Sequence, residues 1–262
     1  MTQAQPGSAS FVGAVPEYYE DFLGPLMFTP YAQDLAVRVQ IGPKARILEL
    51  ACGTGRIMLR CLAAGLDIEG ADLSPAMLAH LREKAAARGF DARVTVASMS
   101  SFELPRRFAL IMICGNAFVH NLTTDEQLAT LRRCRAHLAP GGVLAFDAYF
   151  PDSKLIMAPD NTRVFEGEVK HPETRLPVRC YDTRSFDRVR QLQHSKNEIE
   201  FLDAAGNVAV THRSESTARW IYKGEMELLL RLAGFERFQI FGAFDRRPLE
   251  HESDAMIVLA NA

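Results

Sequence analysis

Residues 45–150 contain a regular succession of short apolar runs and longer segments in which apolar and polar residues are mixed. Five short, largely apolar runs predict β-strands: ARILELA, DIEGAD, RVTVAS, FALIMIC and VLAFDAYF. The segments between most of these runs have the spacing of amphipathic helices. Strands that alternate with helices, several of them apolar throughout, predict a parallel sheet that is covered on both faces.

Helix start and stop signals support this order. RIMLRCLAAG is a predicted helix that ends at Gly65, and the next predicted helix has Ser74 as its N-cap and Gly89 at its end. TTDEQLATLRRCRAHLAPGG is a third predicted helix, in which Thr124 and Gln127 have the spacing of a capping box. Two short helices are also predicted within residues 1–44, after a small and polar N-terminal arm.

The spacing of apolar residues changes after residue 150. Residues 151–222 alternate between polar and apolar positions, and the turn DAAGN predicts a hairpin, with a further strand at VRCYDTRSF. A helix at KGEMELLLRLAG and strands at FERFQIFGAF and DAMIVLAN then follow, the last strand antiparallel to its neighbours because its connection is short. The predicted fold is α/β: a doubly wound, mostly parallel seven-stranded sheet with an antiparallel β insertion after the fifth strand.

Composition narrows the class of protein. The chain of 262 residues is 48% hydrophobic and 24% charged, as expected for one globular domain over residues 1–262. A net charge of -2 argues against a general attraction to nucleic acid. The segment MTQAQPGSAS lacks the features of a signal peptide and no run is long enough to cross a membrane, so we expect a cytoplasmic protein. Five scattered cysteines suggest neither disulfides nor zinc.

The run LELACGTGRI combines a strand, a glycine turn and a helix start, which is typical of a ligand site. A dinucleotide would require a third glycine where this chain has Met58, and Glu49 would repel its phosphates. A ligand with an ammonium and a sulfonium would instead be attracted. Asp72 ends the second strand, where an acid accepts hydrogen bonds from ribose. These residues favour S-adenosylmethionine over NAD. The alternative is that the glycine turn binds no ligand and only joins the strand to the helix.

With ADLSPAML and LAPGGVLAFD, this run resembles the class I S-adenosylmethionine-dependent methyltransferases of the small-molecule type, whose fold is Rossmann-like. The resemblance implies S-adenosylmethionine as cofactor and places Asp72 at its ribose and Leu73 at its adenine. Ser98 stands where relatives often have an acid, and Met99 is expected to pack against the adenine ring. The cofactor-binding residues that the resemblance implies are Tyr18, Glu49, Ala51, Gly53, Gly55, Arg56, Asp72, Leu73, Met77, Ser98, Met99, Cys114 and Asn116.

Candidate catalytic residues lie near the predicted position of the methyl group. They are His120 after the fourth strand, Tyr149 after the fifth, and Tyr19, which with Tyr18 belongs to the leading helix that folds over the cofactor in similar enzymes. Methyl transfer from a sulfonium is an in-line displacement, so alignment matters most and a base is needed only when the acceptor must lose a proton. No metal is implied, because CGNAFVHN offers no cluster of acids.

The insertion bears on the acceptor. It resembles the lids of small-molecule methyltransferases, including those that act on amino sugars and glycine, and a lid would exclude bulky substrates. The alternatives are an RNA methyltransferase, or a regulatory protein that binds S-adenosylmethionine without turnover. If residues 151–222 are not a lid, formation of a homodimer is their best remaining use. The arginines that alternate with Asp182 and Asp187 are interpreted as a solvated sheet face, the alternative being an anion-binding acceptor pocket.

Overall fold

The computed structural model describes residues 45–171, 174–252 and 254–262, and the following helices and strands belong to those ranges. The first part of the chain comprises β1 (Arg46–Leu50), α1 (Met58–Ala63), β2 (Asp67–Asp72), α2 (Pro75–Ala87), β3 (Val94–Val96), β4 (Phe108–Ile113), a 3-10 turn (Ala117–His120), α3 (Thr124–His137), β5 (Leu138–Tyr149) and α4 (Ser153–Ile156). The second part comprises β6 (Thr162–Lys170), β7 (Pro177–Asp187), β8 (Leu192–Leu202), β9 (Val208–Arg219), α5 (Lys223–Leu232), β10 (Arg237–Phe241) and β11 (Ala255–Asn261).

The core of the protein is a seven-stranded sheet in the order β10-β11-β5-β4-β1-β2-β3. Strands β1 to β5 pair in parallel, and β11 runs antiparallel to both β5 and β10, so the predicted fold class is confirmed. Leu48 and Leu50 belong to one buried apolar cluster and Ile47 to another, as expected for a strand that is covered on both faces. The order of the strands reverses between β1 and β4, where ligands bind in doubly wound sheets.

Local signals explain where the helices begin. Ser74 is the N-cap of α2, and its hydroxyl accepts a hydrogen bond from the Met77 N–H, as predicted. The capping box of α3 lies one residue earlier than predicted, at Thr123 and Glu126. The Glu126 carboxylate accepts from the Thr123 N–H, and a charged acceptor suits the positive end of a helix better than the Gln127 amide would.

The sequence LAPGG belongs to a strand, which corrects its predicted place in the preceding helix. Strand β5 already begins at Leu138, opposite Phe108, and its pairing with β4 shifts register before it becomes regular. A Cβ at Gly142 would lie 2.9 Å from the carbonyl oxygens of Ala139 and Phe108, so this irregular crossing requires glycine. The proline and glycines of LAPGG, which predict the end of a helix, therefore lie at the irregular start of β5, where the strand has a bulge.

The insertion forms a second sheet of four antiparallel strands in the order β6-β7-β8-β9. The predicted hairpin is confirmed, and its turn is closed by Asp203, whose carboxylate accepts from the N–H groups of Ala205 and Asn207. Strand β6 was not predicted, because it is an edge strand with most side chains exposed and therefore has no apolar alternation. No helix among the described residues is long and apolar enough to cross a membrane.

The second sheet is joined to the core by a buried guanidinium. Arg219, at the end of β9, donates to the side-chain oxygens of Gln127 (2.6 Å), Gln191 (2.9 Å) and Glu225 (2.6 Å). Because only 8% of the Arg219 side chain is exposed, these bonds compensate for the loss of its hydration. Phe186 of β7 packs against Trp220 beside this group, with ring centroids 6.2 Å apart.

Replacement of Arg219 by Met is therefore expected to lower the free energy of unfolding by about 2–4 kcal/mol, because it leaves buried acceptors without a donor. Urea denaturation followed by circular dichroism measures this loss. Arg213→Met is the control: Arg213 also pairs with a carboxylate, that of Glu198, but 69% of its side chain is exposed, so stability should not change. Equal losses in the two variants would contradict the anchoring role of Arg219.

Candidate active site

The predicted site residues meet at one edge of the core sheet. Glu49 lies in β1, Asp72 ends β2, Asn116 follows β4 and Tyr149 ends β5. These strands are parallel neighbours, so their carboxyl ends reach the same edge, on both sides of the strand-order reversal. Tyr18 and Tyr19 lie outside the described residues and remain predictions.

The turn after β1 has a strained backbone. Ala51, Gly53 and Gly55 have φ angles of 53°, 54° and 84°, a region that residues with a side chain rarely adopt. The two glycines serve different purposes. A Cβ on Gly55 would lie 2.6 Å from Leu81 Cγ, so this glycine permits close packing of the turn on α2. A Cβ on Gly53 would meet nothing within 4 Å, so Gly53 faces space that a ligand can fill.

Asp72 fixes the geometry of this turn. Its two carboxylate oxygens accept from the N–H groups of Gly53 and Ser74, each at 2.8 Å. Burial raises the pKa of Asp72, and these backbone N–H groups partly oppose that shift. The resemblance implies a contact of Asp72 with the ribose, whereas its bond to Gly53, nineteen positions away, is a role that no local sequence signal indicates. The carboxylate is thus held rigidly next to the space in front of Gly53.

Glu49 is a buried acid with an unsatisfied oxygen. Only 4% of the residue is exposed, and its Oε2 atom has no hydrogen-bond partner among the described residues. Burial raises the pKa of Glu49 to about 8, an effect that the Met58 N–H and the Arg56 guanidinium partly oppose and the Asp72 charge reinforces. A buried carboxyl of this kind is stabilised in its charged form by a cationic ligand.

These features fit S-adenosylmethionine. The carboxyl group of Glu49 can receive its ammonium, the open side of Gly53 leaves room for the ligand against the backbone, and Asp72 is held where a ribose hydroxyl can donate to it. When bound, this cofactor supplies an electrophilic methyl group on a sulfonium.

The predicted adenine contacts are placed in different environments. Leu73 is 56% exposed beside Asp72, as expected for a side chain that is free to contact a ligand. Met77 is buried on α2, and Met99 packs on the core, where its sulfur accepts from the Asn121 amide at 3.2 Å. The Ser98 hydroxyl lies 3.0 Å from that of Ser100. Contact of these side chains with adenine remains a prediction.

A second strained turn follows β4. Gly115 and Asn116 have φ angles of 70° and 60°, and the Asn116 N–H donates to Asp147 of β5 at 2.8 Å. Asp147 thus caps this turn, which is one of the roles its sequence position suggested. Cys114 precedes the turn and is half-buried. The turn leads directly into the 3-10 turn that carries His120.

His120 links the core to the second sheet. Its Nδ1 atom lies 3.2 Å from the carbonyl oxygen of Thr217 in β9. A carbonyl oxygen only accepts, so Nδ1 carries the proton of the neutral ring and Nε2 is the basic nitrogen. Burial lowers the pKa of His120, while the bond to Thr217 and the nearby Asp72 charge partly oppose the shift. The ring is therefore neutral at physiological pH and can accept a proton.

Tyr149 is suited to hydrogen bonding rather than to proton abstraction. Burial raises its pKa to about 12, so the hydroxyl stays protonated at neutral pH. Its oxygen has no hydrogen-bond partner among the described residues, although the Arg184 guanidinium of β7 is close enough to lower the pKa slightly. Sequence reasoning did not foresee this approach of Arg184 or the contact of Thr217 with His120, because both join residues that are far apart in the chain.

The amino-acid sequence is similar to those of known methyltransferases. Residues 47–142 match the family model described as a methyltransferase domain. The chain is 33% identical over 189 residues, 71% of this chain and 68% of the relative, to a dTDP-3-amino-3,6-dideoxy-alpha-D-glucopyranose N,N-dimethyltransferase of Streptomyces fradiae. It is 30% identical over 187 residues, 70% of this chain and 73% of the relative, to a dTDP-3-amino-3,4,6-trideoxy-alpha-D-glucopyranose N,N-dimethyltransferase of Streptomyces venezuelae.

The fold is shared with a solved structure. A crystal structure of an S-adenosylmethionine-dependent methyltransferase from Clostridium acetobutylicum superposes with a TM-score of 0.74 at 19% identity, covering 94% of this chain and 96% of that chain. Fold and site thus define a methyltransferase of the Rossmann-like type. The chain belongs to the class I S-adenosylmethionine-dependent methyltransferases. It is an enzyme with S-adenosylmethionine as cofactor, and its relatives favour small-molecule acceptors over the predicted alternatives.

The raised pKa of Glu49 predicts a pH-dependent affinity for the cofactor. Below about pH 8 the free carboxyl group is mostly protonated, and a cationic ligand favours the carboxylate, so binding must release a proton. Affinity should therefore rise with pH up to about 8 and then fall as the ligand's own ammonium group loses its proton. Calorimetric titrations at several pH values, in buffers of different ionisation enthalpy, measure both affinity and proton release.

Glu49→Gln is the control for this titration. This substitution should reduce the affinity for the cofactor and remove the proton release that comes from the Glu49 carboxyl group. The amino group of the ligand titrates in the same way with both proteins, so it does not contribute to the difference. Wild-type and variant proteins with the same proton release would contradict the assignment of Glu49.

Proposed function

We propose that the protein methylates an amino group of a small acceptor, of the aminodeoxy-sugar type. Two relatives that are at least 30% identical over more than two thirds of this chain are named as N,N-dimethyltransferases of amino sugars. A glycine/sarcosine N-methyltransferase of Halorhodospira halochloris, 28% identical over 205 residues, is a further relative whose name specifies nitrogen. These names concern the relatives, and they indicate the class of acceptor to test first.

The observation that carries the proposal is the state of His120. An amine is mostly an ammonium ion at neutral pH, and it must lose a proton before its lone pair can attack a methyl group. The neutral His120 ring, with its proton held on Nδ1 by Thr217, presents a basic Nε2 for this proton. His120 ends the 3-10 turn that follows β4, close enough to Asp72 for that charge to affect its pKa, and this place supports a position near the acceptor.

The remaining residues position the reactants. Glu49 and Asp72 hold the cofactor by charge and hydrogen bonding, and the bond from Gly53 to Asp72 keeps the turn in its strained shape without the ligand. Preorganisation of this kind reduces the entropy lost when the two reactants are aligned. The neutral Tyr149 hydroxyl can hydrogen-bond to the acceptor and does not compete with His120 as a base.

The second sheet is proposed to act as a lid over the acceptor. The bond from His120 to Thr217 and the anchoring of Arg219 support this role, because they attach β9 to the 3-10 turn after β4 and to Gln127 in the first turn of α3. A cover at this place favours small acceptors. Cytoplasmic location, the absence of a nucleic-acid partner and the alternative use of the insertion in a homodimer stay predictions from the sequence.

A panel of acceptors tests the proposal. The full chain should form S-adenosylhomocysteine with aminodeoxy sugars, free or linked to a nucleotide, and should show no activity towards catechols, thiols or RNA. Methylation confined to oxygen or sulfur acceptors would contradict the proposed chemistry. Turnover of folded RNA would contradict both the small acceptor and the lid.

A further inference from the structure

Asn121 carries a buried amide directly after His120. Only 3% of the residue is exposed, and it follows the 3-10 turn Ala117–His120. A buried amide needs partners for its donor and its acceptor atoms, because an unpaired polar group in such a place is costly. The side chain of Asn121 has partners in three parts of the protein: the 3-10 turn, the loop that follows β3, and α3.

The first contact closes the turn that carries His120. The Nδ2 atom of Asn121 donates to the carbonyl oxygen of Phe118 at 3.0 Å, and the Asn121 backbone N–H donates to the same oxygen at 3.1 Å. Residues 118–121 are therefore closed twice, and His120 lies inside this segment. Hydrogen bonds of a 3-10 turn have poorer geometry than those of an α-helix, so the additional side-chain bond stabilises the backbone that carries His120.

The second contact reaches the loop between β3 and β4. Asn121 Nδ2 also donates to Met99 Sδ, at 3.2 Å, and the thioether sulfur is a weak acceptor. Met99 and its neighbour Ser98 are predicted contacts of the cofactor. One side chain therefore connects the turn that carries the proposed base with the loop that carries two predicted cofactor contacts.

The third contact orients the amide. The hydroxyl of Thr130 in α3 is fully buried and donates to Asn121 Oδ1 at 2.8 Å. The Phe118 carbonyl oxygen only accepts, so Nδ2 must face Phe118 and Oδ1 must face Thr130. The opposite orientation would bring two acceptors together and leave the Thr130 hydroxyl without its acceptor. Thr130 thus selects the orientation in which Asn121 closes the turn.

We propose that Asn121, oriented by Thr130, is a positioning residue for His120. The Thr217 carbonyl oxygen fixes the direction of the imidazole ring, and Asn121 fixes the backbone from which that ring extends. Displacement of a reacting group by about 1 Å can lower a rate about 100-fold, so the backbone has to be held as well as the ring. This inference rests on the proposed function, because Asn121 acts through the proposed base.

Two variants of Thr130 test the orientation of the amide. Thr130→Val keeps the shape of the side chain but removes the donor to Asn121, so kcat with an amine acceptor should fall by ~10-fold or more while KM stays close to the wild-type value. Thr130→Ser keeps the hydroxyl group and should keep kcat. Both are measured with the full chain at a temperature at which every variant is folded. Equal losses of kcat in the two variants would overturn the inference.

Cys134→Ala controls for packing. Cys134 lies one turn further along α3 and is as completely buried as Thr130. Its truncation should lower the stability of the protein, because it leaves a small cavity, but should not lower kcat. A loss of kcat as large as that of Thr130→Val would show that any disturbance of α3 is sufficient, and would contradict the positioning role.

A double-mutant cycle tests whether Asn121 acts through His120. Asn121→Leu removes all three contacts and should lower kcat by ~10- to 100-fold in the wild-type background. In the His120→Asn background it should cause no further loss, because the group that it positions is already absent. Equal losses in the two backgrounds, or no loss in the wild-type background, would overturn the inference.

Amide hydrogen exchange tests the same role without turnover. The N–H groups of Val119 and Asn121 donate to carbonyl oxygens within the turn, and their exchange is followed by NMR. Exchange should be faster than in the wild-type protein in Asn121→Leu and Thr130→Val, and unchanged in Thr130→Ser. If the wild-type protein methylates no amine, the proposed function fails, and faster exchange still supports the hold of Asn121 on the turn. Unchanged exchange in all three variants would contradict that hold.

Discussion

His120→Asn is expected to lower kcat by ~100- to 10,000-fold while the affinity for S-adenosylmethionine stays close to that of the wild-type protein. The loss follows from removal of the basic Nε2 atom, which accepts the acceptor's proton in the proposed mechanism. The Asn amide can still donate to the Thr217 carbonyl oxygen in place of Nδ1–H, so the link between core and second sheet is retained. Steady-state kinetics with an amine acceptor and calorimetry with the cofactor measure the two effects.

His120→Gln completes this experiment. Its longer side chain places the amide near the position of Nε2, so the link to Thr217 is lost together with the base. If His120 acts as a base, both variants lose kcat and added imidazole partly restores it. If His120 only attaches the second sheet, His120→Asn stays active and His120→Gln does not. An active His120→Asn variant would therefore contradict the base role.

Gly53→Val is expected to weaken cofactor binding by ~100-fold or more, equivalent to about 2.7 kcal/mol, while the protein remains folded. The reason is that the Cβ position at Gly53 is open in the structure, so the branched side chain would occupy space that the ligand needs. The φ angle of 54° adds strain, which lowers stability without by itself affecting the ligand. Calorimetric titration and thermal unfolding separate these contributions.

Gly65→Val provides a matched control. Gly65 follows α1 with a φ angle of 74°, and a Cβ there would also meet nothing within 4 Å, so the backbone strain and the open surroundings are alike. The two variants should lose similar stability, about 1–3 kcal/mol, but only Gly53→Val should lose affinity. Similar dissociation constants for the two variants would mean that the turn at Gly53 is purely structural.

Local rules were sufficient to predict the core sheet and its glycine turn. The five parallel strands follow from short apolar runs, the start of α2 follows from Ser74 and Pro75, and the antiparallel last strand follows from a short connection. These features depend on residues that are close together in the chain. The position of Glu49 and Asp72 at one edge then follows from the parallel order of the strands.

Features that depend on docking could not be predicted in this way. Alternating arginines and aspartates look the same in sequence whether a sheet face is open or covered. The interpretation of a solvated face is wrong for Asp182, because only 5% of this residue is exposed. The approach of His120 to Thr217 joins residues that are 97 positions apart. The start of α3 is a different case, because Thr123 and Thr124 offer two capping boxes one residue apart and the charge of Glu126, which favours the earlier box, is a signal that the sequence contains.

The position of the transferred methyl group tests the account most directly. The full chain is incubated with an aminodeoxy sugar and with S-adenosylmethionine labelled with carbon-13 in its methyl group, and the product is analysed by NMR. We predict a labelled methyl group on nitrogen, formed by the wild-type protein and lost in His120→Asn and Gly53→Val. A labelled methyl group on oxygen, or no transfer to any small amine, would contradict it.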